Sequence, residues 1–211
     1  MTPAERKSRI ENLLTSLNIP YIGHLPLIEE SEARVRTPQE IANRICVLMY
    51  LYYVSKKPQD RNNLIVFLKE QKLWEAVSSH EKELFTIDVS GQEQIKISWR
   101  TEAIWLLLWA INKVDKLELP VDRVSISEIF ERIPGFMEDT KEFVQTATGR
   151  TTPEILDVAD LTHRLHWATQ HTELNGPLAL NLNSNIVQER HHAINWAIYY
   201  ADNWDEITTD S

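Results

Sequence analysis

The chain has 211 residues, 43% of them hydrophobic and seven of them tryptophan, with a formal net charge of −9 and a pI near 5.3. A chain of this length buries roughly 70% of its unfolded surface, so disorder is expected only at the ends. The acidity argues against nucleic acid or an anionic membrane as partner, because both repel it, and the single cysteine, Cys46, excludes an internal disulfide and suits a reducing cytoplasm.

The first residues, MTPAERKSRIENLL, are charged from the start and lack the apolar stretch of a signal peptide. They open a helix instead. Thr2 is a capping threonine, Pro3 takes the first helical position, and Glu5 reaches back to the cap. Ile10, Leu13, Leu14 and Leu17 supply the apolar stripe. Residues 18–36 read as a loop holding Pro20, Pro26 and the solvated acids Glu29, Glu30 and Glu32. Thr37-Pro38-Gln39-Glu40 repeats the opening signal, and Ile41, Ala42, Ile45, Cys46, Leu48, Met49 and Tyr52 form its stripe, which makes Cys46 a core residue.

Further helices are expected over 60–77, 92–113, 126–132, 137–147, 153–171 and 185–203. Ser90-Gly91-Gln92-Glu93 and Ser125-Ile126-Ser127-Glu128 are capping boxes, and Thr152-Pro153-Glu154 carries the first part of one. Residues 84–99 could be taken for a hairpin about Ser90-Gly91, but that box leads directly into an apolar run, so a helix is preferred. Residues 172–184, with Asn175, Gly176 and Pro177, read as a loop. The expectation is one all-α domain over 1–211, a bundle of about eight helices around a central buried pair, with a flexible acidic end at about 205–211.

Two absences exclude function classes. Gly23, Gly91, Gly135, Gly149 and Gly176 are too dispersed for a P-loop, a dinucleotide fingerprint or a serine-hydrolase elbow. The longest apolar run, Ala103 to Ile111, is too short for a membrane span. A cytoplasmic location follows as an expectation.

The run WRTEAIWLLLWAI (99–111) carries Arg100 and Glu102 at its start. Glu102 shares a helical face with Ile95, Leu106 and Trp109. A carboxylate so placed needs a cation or a proton, because an unpaired buried charge costs several kcal/mol. Arg164, one turn after Asp160 and before Trp167, and Arg190, on a stripe with Ile194, Ala197 and Ala201, are the cations in comparably apolar helices. A buried network of Arg100, Glu102, Arg164, His166, Glu189, Arg190, His191 and Asn195 is therefore expected, with Trp99, Trp105, Trp109, Trp167 and Trp196 as its aromatic surround.

Three readings of that network stand. It is an ion-paired brace between long helices, or a tryptophan-lined pocket for a small anionic ligand or acid–base work, or a metal site. Five of the seven histidines lie between His163 and His192, and Asp160-x-x-His163 and Glu189-x-x-His192 have the spacing of di-iron bundles, with Glu102 or Glu40 as further ligands. That spacing arises easily by chance, and no metal or other cofactor is assigned. Exposed Tyr199, Tyr200 and Trp204 would suit a homodimer contact, whereas Tyr50, Tyr52 and Tyr53 read as core and rim.

The segments RTPQEIANR (36–44), SWRTEAIWLLLWA (98–110), DLTHRLHWA (160–168), Asn175-Gly176 and ERHHAINWA (189–197) together resemble the bacterial family known only as domain of unknown function 4272. Order and spacing agree from GHLPLIEES (23–31) to Trp196. The resemblance implies Glu40, Arg44, Trp99, Arg100, Glu102, Trp105, Trp109, Arg164, His166, Trp167, Glu189, Arg190, His191, Asn195 and Trp196 as motif positions. It leaves His163 and His192 at looser positions, which weakens the di-iron reading, and it supplies no activity. The function expected is a non-enzymatic binding or regulatory domain with a protein partner or a small anionic ligand. The alternative is an enzyme with Glu102 or Glu189 as general base, His166 or His191 as acid or ligand, and an arginine holding an anionic substrate.

Overall fold

Helix starts follow the caps written in the chain. In the computed structural model, which describes residues 2–25, 30–31, 33–171 and 181–209, Thr2 caps α1 (Pro3–Ser16) and Thr37 caps α2 (Pro38–Lys56), each through a full capping box. Next come α3 (Arg61–Glu70), α4 (Ser79–Leu84), α5 (Gly91–Ala110), α6 (Ile126–Phe130) and α7 (Lys141–Gln145). The long α8 (Thr152–Gln170) and α9 (Ser184–Ala197) complete the set. All regular structure among the described residues is helical.

Several boundaries differ from the sequence reading. The cap of α8 is Thr151, one residue earlier than expected, which puts Pro153 in the first turn and Glu154 at the third position. The expected helix 60–77 stops at Glu70 and gives way to a turn and the short 3-10 segment Trp74–Ala76. The Ser78/Glu81 capping box that starts α4 was overlooked. The helix expected over 185–203 ends at Ala197.

Four of the helix ends share one device. In α1, α3, α5 and α9 the residue after the cap is left-handed without being glycine: Asn18 (φ 54), Lys72 (φ 59), Asn112 (φ 59) and Tyr199 (φ 58). The next amide then donates back across the last turn, as Ile19 does to Leu14 and Tyr200 to Asn195, both at 2.9 Å. Asparagine tolerates this conformation; at Lys72 and Tyr199 it costs roughly 1–2 kcal/mol.

α5 packs on α2 and on α9, and α9 packs on α8, so α5 and α9 occupy the middle of the bundle. Ile104, Leu106, Leu107 and Leu108 of α5 and Ala193, Ile194 and Ala197 of α9 are fully buried in the main core. The C-terminal half of α2 joins a second cluster with α3 and α4, where Cys46 is buried. Burial pushes the Cys46 thiol up to about 12. A third cluster joins α1 to α8.

The acidic end expected to be loose from 205 is packed as far as Ile207. Trp204 and Ile207 belong to the main core, and the Asn195 side-chain amide donates to the Thr208 carbonyl at 3.2 Å. Trp204 is therefore not available for a dimer contact, while Tyr200 is 60% exposed. No helix among the described residues is long and apolar enough to cross a membrane.

Candidate functional site

The expected network separates into distinct groups. Glu102, 0% exposed, is held from two sides. Its Oε2 accepts from Arg190 Nε at 3.2 Å and Nη2 at 3.0 Å, and its Oε1 accepts from the Val124 amide at 2.7 Å. Arg190 Nη1 donates to the Glu118 carbonyl at 2.7 Å. Arg100 pairs with Glu189 at 3.0 Å between the same two helices, α5 and α9. Burial raises the Glu189 carboxyl, opposed by the Arg100 charge.

Arg164, 0% exposed, does not join them. It grips Asp160 of its own helix through Nε at 3.0 Å and Nη2 at 3.3 Å, and reaches Glu11 of α1 through Nη1 at 3.0 Å. It thus fixes α1 to α8 rather than closing the central network.

The imidazoles form their own group between α8 and α9. His191 lies 4.8 Å from His166 and 5.4 Å from His163, ring centre to ring centre. Burial, then the neighbouring imidazoles, lower His191 to about 3. His192 faces the other way, 4.5 Å from Trp204, and is also lowered to about 3 by burial and by Arg100. With Asp160 committed to Arg164 and Glu189 to Arg100, the two carboxylate-x-x-histidine motifs share no focus. Among the described residues no group of three or more His, Cys, Asp or Glu side chains is placed to hold a metal.

The five expected aromatics are likewise dispersed. Trp99 stacks under Arg123, Trp105 under Arg132 and Trp109 under Arg150, at 4.4, 5.1 and 4.7 Å. Trp167 stacks on His171 at 4.7 Å. Glu102 and His166 line neither of the two large cavities found among the described residues. Glu102 is sealed between α5 and α9.

The larger cavity, about 640 Å³, lies between the start of α2, the 75–82 segment and the 202–206 turn. Of the expected network and its aromatic surround only Trp196 lines it, together with the motif positions Glu40 and Arg44. A ladder of alternating cations and rings runs from Arg34 and Tyr199, outside the lining, to the wall residues Arg36, Trp196, Trp204 and Arg44. Arg34 and Arg36 sit over Tyr199 at 4.3 and 4.0 Å, Arg36 also over Trp196 at 4.3 Å. Trp196 meets Trp204 edge-on at 5.6 Å, and Arg44 lies over Trp204 at 4.9 Å. Stacking of this kind fixes the guanidinium planes.

Two of these arginines differ in how their donors are used. Arg36 Nε donates to the Trp196 carbonyl at 2.8 Å, and Nη2 to those of Ala201 and Asp202 at 3.1 and 2.7 Å. Among the described residues Arg44, 3% exposed, donates from Nη2 to Glu81 Oε2 at 2.6 Å, while Arg44 Nε and Glu81 Oε1 are buried without hydrogen-bond partners. The Arg190–Glu102 pair is complete; the Arg44–Glu81 pair is not.

Carboxylates around the cleft are partly committed as well. Asp205 accepts from the Ser78 hydroxyl at 2.6 Å and the His80 amide at 3.0 Å, pinning the C-terminal turn to α4. Burial would raise the Glu40 carboxyl, but hydrogen bonds from Thr37 and Tyr199 outweigh it and the group is lowered. Glu75, Asp202 and Glu206 remain at the rim.

Sequence reasoning missed Arg36, Ser78, Lys82 and Trp204 as lining residues and treated Arg44 only as a motif position. Arg44 carried a usable signal: it sits inside the apolar stripe of α2, as Arg190 does in α9. Ser78-x-x-Glu81 was a second.

The family described as domain of unknown function (DUF4272) matches residues 6–207. Both limits fall on buried residues, Arg6 (2% exposed) and Ile207 (7%), so the match spans the packed body of the chain. No curated protein and no solved structure matches it.

Proposed function

Since the chain belongs to the DUF4272 family, whose description assigns no activity, we propose from the site alone that it is a non-catalytic binding domain. Its ligand is a small molecule bearing one anionic group, seated in the large cleft over Arg44.

The observation that carries this reading is the incomplete Arg44–Glu81 pair beside about 640 Å³ of open volume. A buried donor left unmade costs about 1–3 kcal/mol, and such groups in native proteins call for an explanation. A carboxylate or phosphate monoester entering the cleft would supply the missing acceptor once the guanidinium of Arg44 turns its buried Nε–H toward it, with Lys82 beside it. The rim acids Glu75, Asp202 and Glu206 repel polyanions, so the body of the ligand is neutral or cationic.

The test is calorimetric titration with phosphoethanolamine, phosphocholine, 4-aminobutyrate and pyrophosphate. One of the first three is expected to saturate at one per chain, and pyrophosphate to bind more weakly. Arg44→Lys keeps the charge opposite Glu81 but removes the planar donor set, so affinity should fall at least tenfold in a folded protein. Equal binding by Arg44→Lys, or no binding by any member of the panel, would refute the proposal.

A further inference from the structure

The smaller cavity, about 330 Å³, lies where α5, α8 and α9 meet, away from the residues of the large cleft. We infer that it is a separate binding site for a small, uncharged, largely apolar molecule carrying one hydrogen-bonding group.

Its lining sets the ligand's body. Leu106 and Trp109 come from α5, Val158, Leu161 and Leu165 from α8, and Val187 from α9. An apolar cavity of about 150 Å³ holds one benzene ring, so this volume takes roughly a two-ring molecule. Pockets between bundle helices, apolar with a few polar groups, are where small ligands bind.

The charged groups at its edge set the ligand's charge, because their signs balance and the cations are engaged within the protein. Arg190 spends its donors on Glu102 and the Glu118 carbonyl. Arg150 donates to the carbonyls of Trp109, Val114 and Asp115 and to Glu154. Lys116 pairs with Glu118 at 3.1 Å. Three cations, Lys116, Arg150 and Arg190, and three carboxylates, Asp115, Glu118 and Glu154, line the cavity, so the charges of its lining balance and favour neither an anion nor a cation. A charged ligand would lose its hydration here and gain no partner.

Thr162 sets the polar contact. It is 6% exposed and lines the cavity, so its hydroxyl is the small polar group in an otherwise apolar stretch of α8 wall. A ligand hydroxyl or carbonyl would engage it.

Three probes that share one two-ring body test this: 2-naphthalenemethanol, 2-naphthoate and 2-naphthylmethylammonium, each titrated into the full chain by calorimetry. The alcohol is expected to saturate at one per chain and the two charged probes to bind at least tenfold more weakly. Val158→Trp, which fills the cavity from a half-buried wall position, should abolish alcohol binding with the helical circular dichroism retained. Should that variant fail to fold, Leu119→Trp fills the same cavity from the connection before α6. Thr162→Val should weaken the alcohol about fivefold and leave 2-methylnaphthalene unchanged. Arg44→Lys should change nothing, which separates this site from the cleft. Equal binding of charged and neutral probes, unaltered binding in a folded filled variant, or no saturable binding up to the solubility limit would overturn the inference.

Discussion

Glu102→Gln removes one charge and almost no volume from the centre of the bundle, and its cost follows from the geometry. Glu102 offers two acceptor oxygens to three donors: the Val124 amide on one, and Nε and Nη2 of Arg190 on the other. Glutamine has one acceptor oxygen and one NH2 group. If the oxygen faces Arg190, the NH2 meets the Val124 N–H; if it faces Val124, the NH2 meets two guanidinium donors. Either orientation sets donor against donor and leaves Arg190, whose side chain is 8% exposed, without a counter-charge. Breaking a buried pair from one side costs about 3–5 kcal/mol, which for a chain of this size lowers the melting temperature by roughly 6–20 °C. Urea unfolding followed by circular dichroism measures it, with the midpoint shifting and the slope unchanged. Replacing both partners, as in Glu102→Leu with Arg190→Leu, should cost less than the sum of the single changes. A loss below about 1 kcal/mol for Glu102→Gln would show that the carboxylate is not sealed between the two helices, and the brace reading would fall.

Other outcomes follow from the same coordinates. His191 and His192 are lowered to about 3 in the fold against about 6.5 when unfolded. Their contribution to stability is therefore complete above pH 6.5 and is lost as pH falls towards 3, at up to roughly 1.4 kcal/mol per pH unit for each group; a stability profile from pH 7 to 4.5 that stays flat would contradict this, and His191→Phe should flatten its share. With its pKa raised to about 12 by burial, the Cys46 thiol should resist a thiol reagent in the native protein at pH 8 and react fully in urea. Trp204→Ala removes a ring packed against Arg44, Trp196 and His192 and should cost about 3–5 kcal/mol, with loss of cleft binding in whatever remains folded. Tyr200→Ser, at a 60% exposed position, should stay within about 0.5 kcal/mol of the parent, and a larger loss would mean that this ring is covered in solution.

Helix starts were legible because a start is a local chemical event. Thr37 and Glu40 satisfy each other's backbone groups within four residues, and no distant residue need be known. Helix ends were not, because the usual marker is a glycine and here Lys72 and Tyr199 adopt the left-handed conformation instead. At α3 the ending is secured by Leu68 and Leu73, buried together in one cluster, which is a tertiary fact. The same division holds for the charges. That Glu102 needs a cation could be read from its apolar helical face, and Arg190 was among the candidates. That Arg164 would turn away to Asp160 and Glu11 could not, because Arg164 and Arg190 both sit in comparably apolar helices and the choice depends on which faces meet.

The amino-acid order by itself determined an all-helical chain, the position of most helix starts, the family to which it belongs, and the presence of carboxylates and guanidiniums too deep to remain unpaired. These are properties of short windows, where capping, periodicity and burial act between neighbours. Only the tertiary structure decided which charges pair, that Trp204 and Ile207 turn back into the core, and that open volume lies over Arg44 and beside Thr162. A cavity is space left between elements far apart in sequence, and no local pattern encodes it.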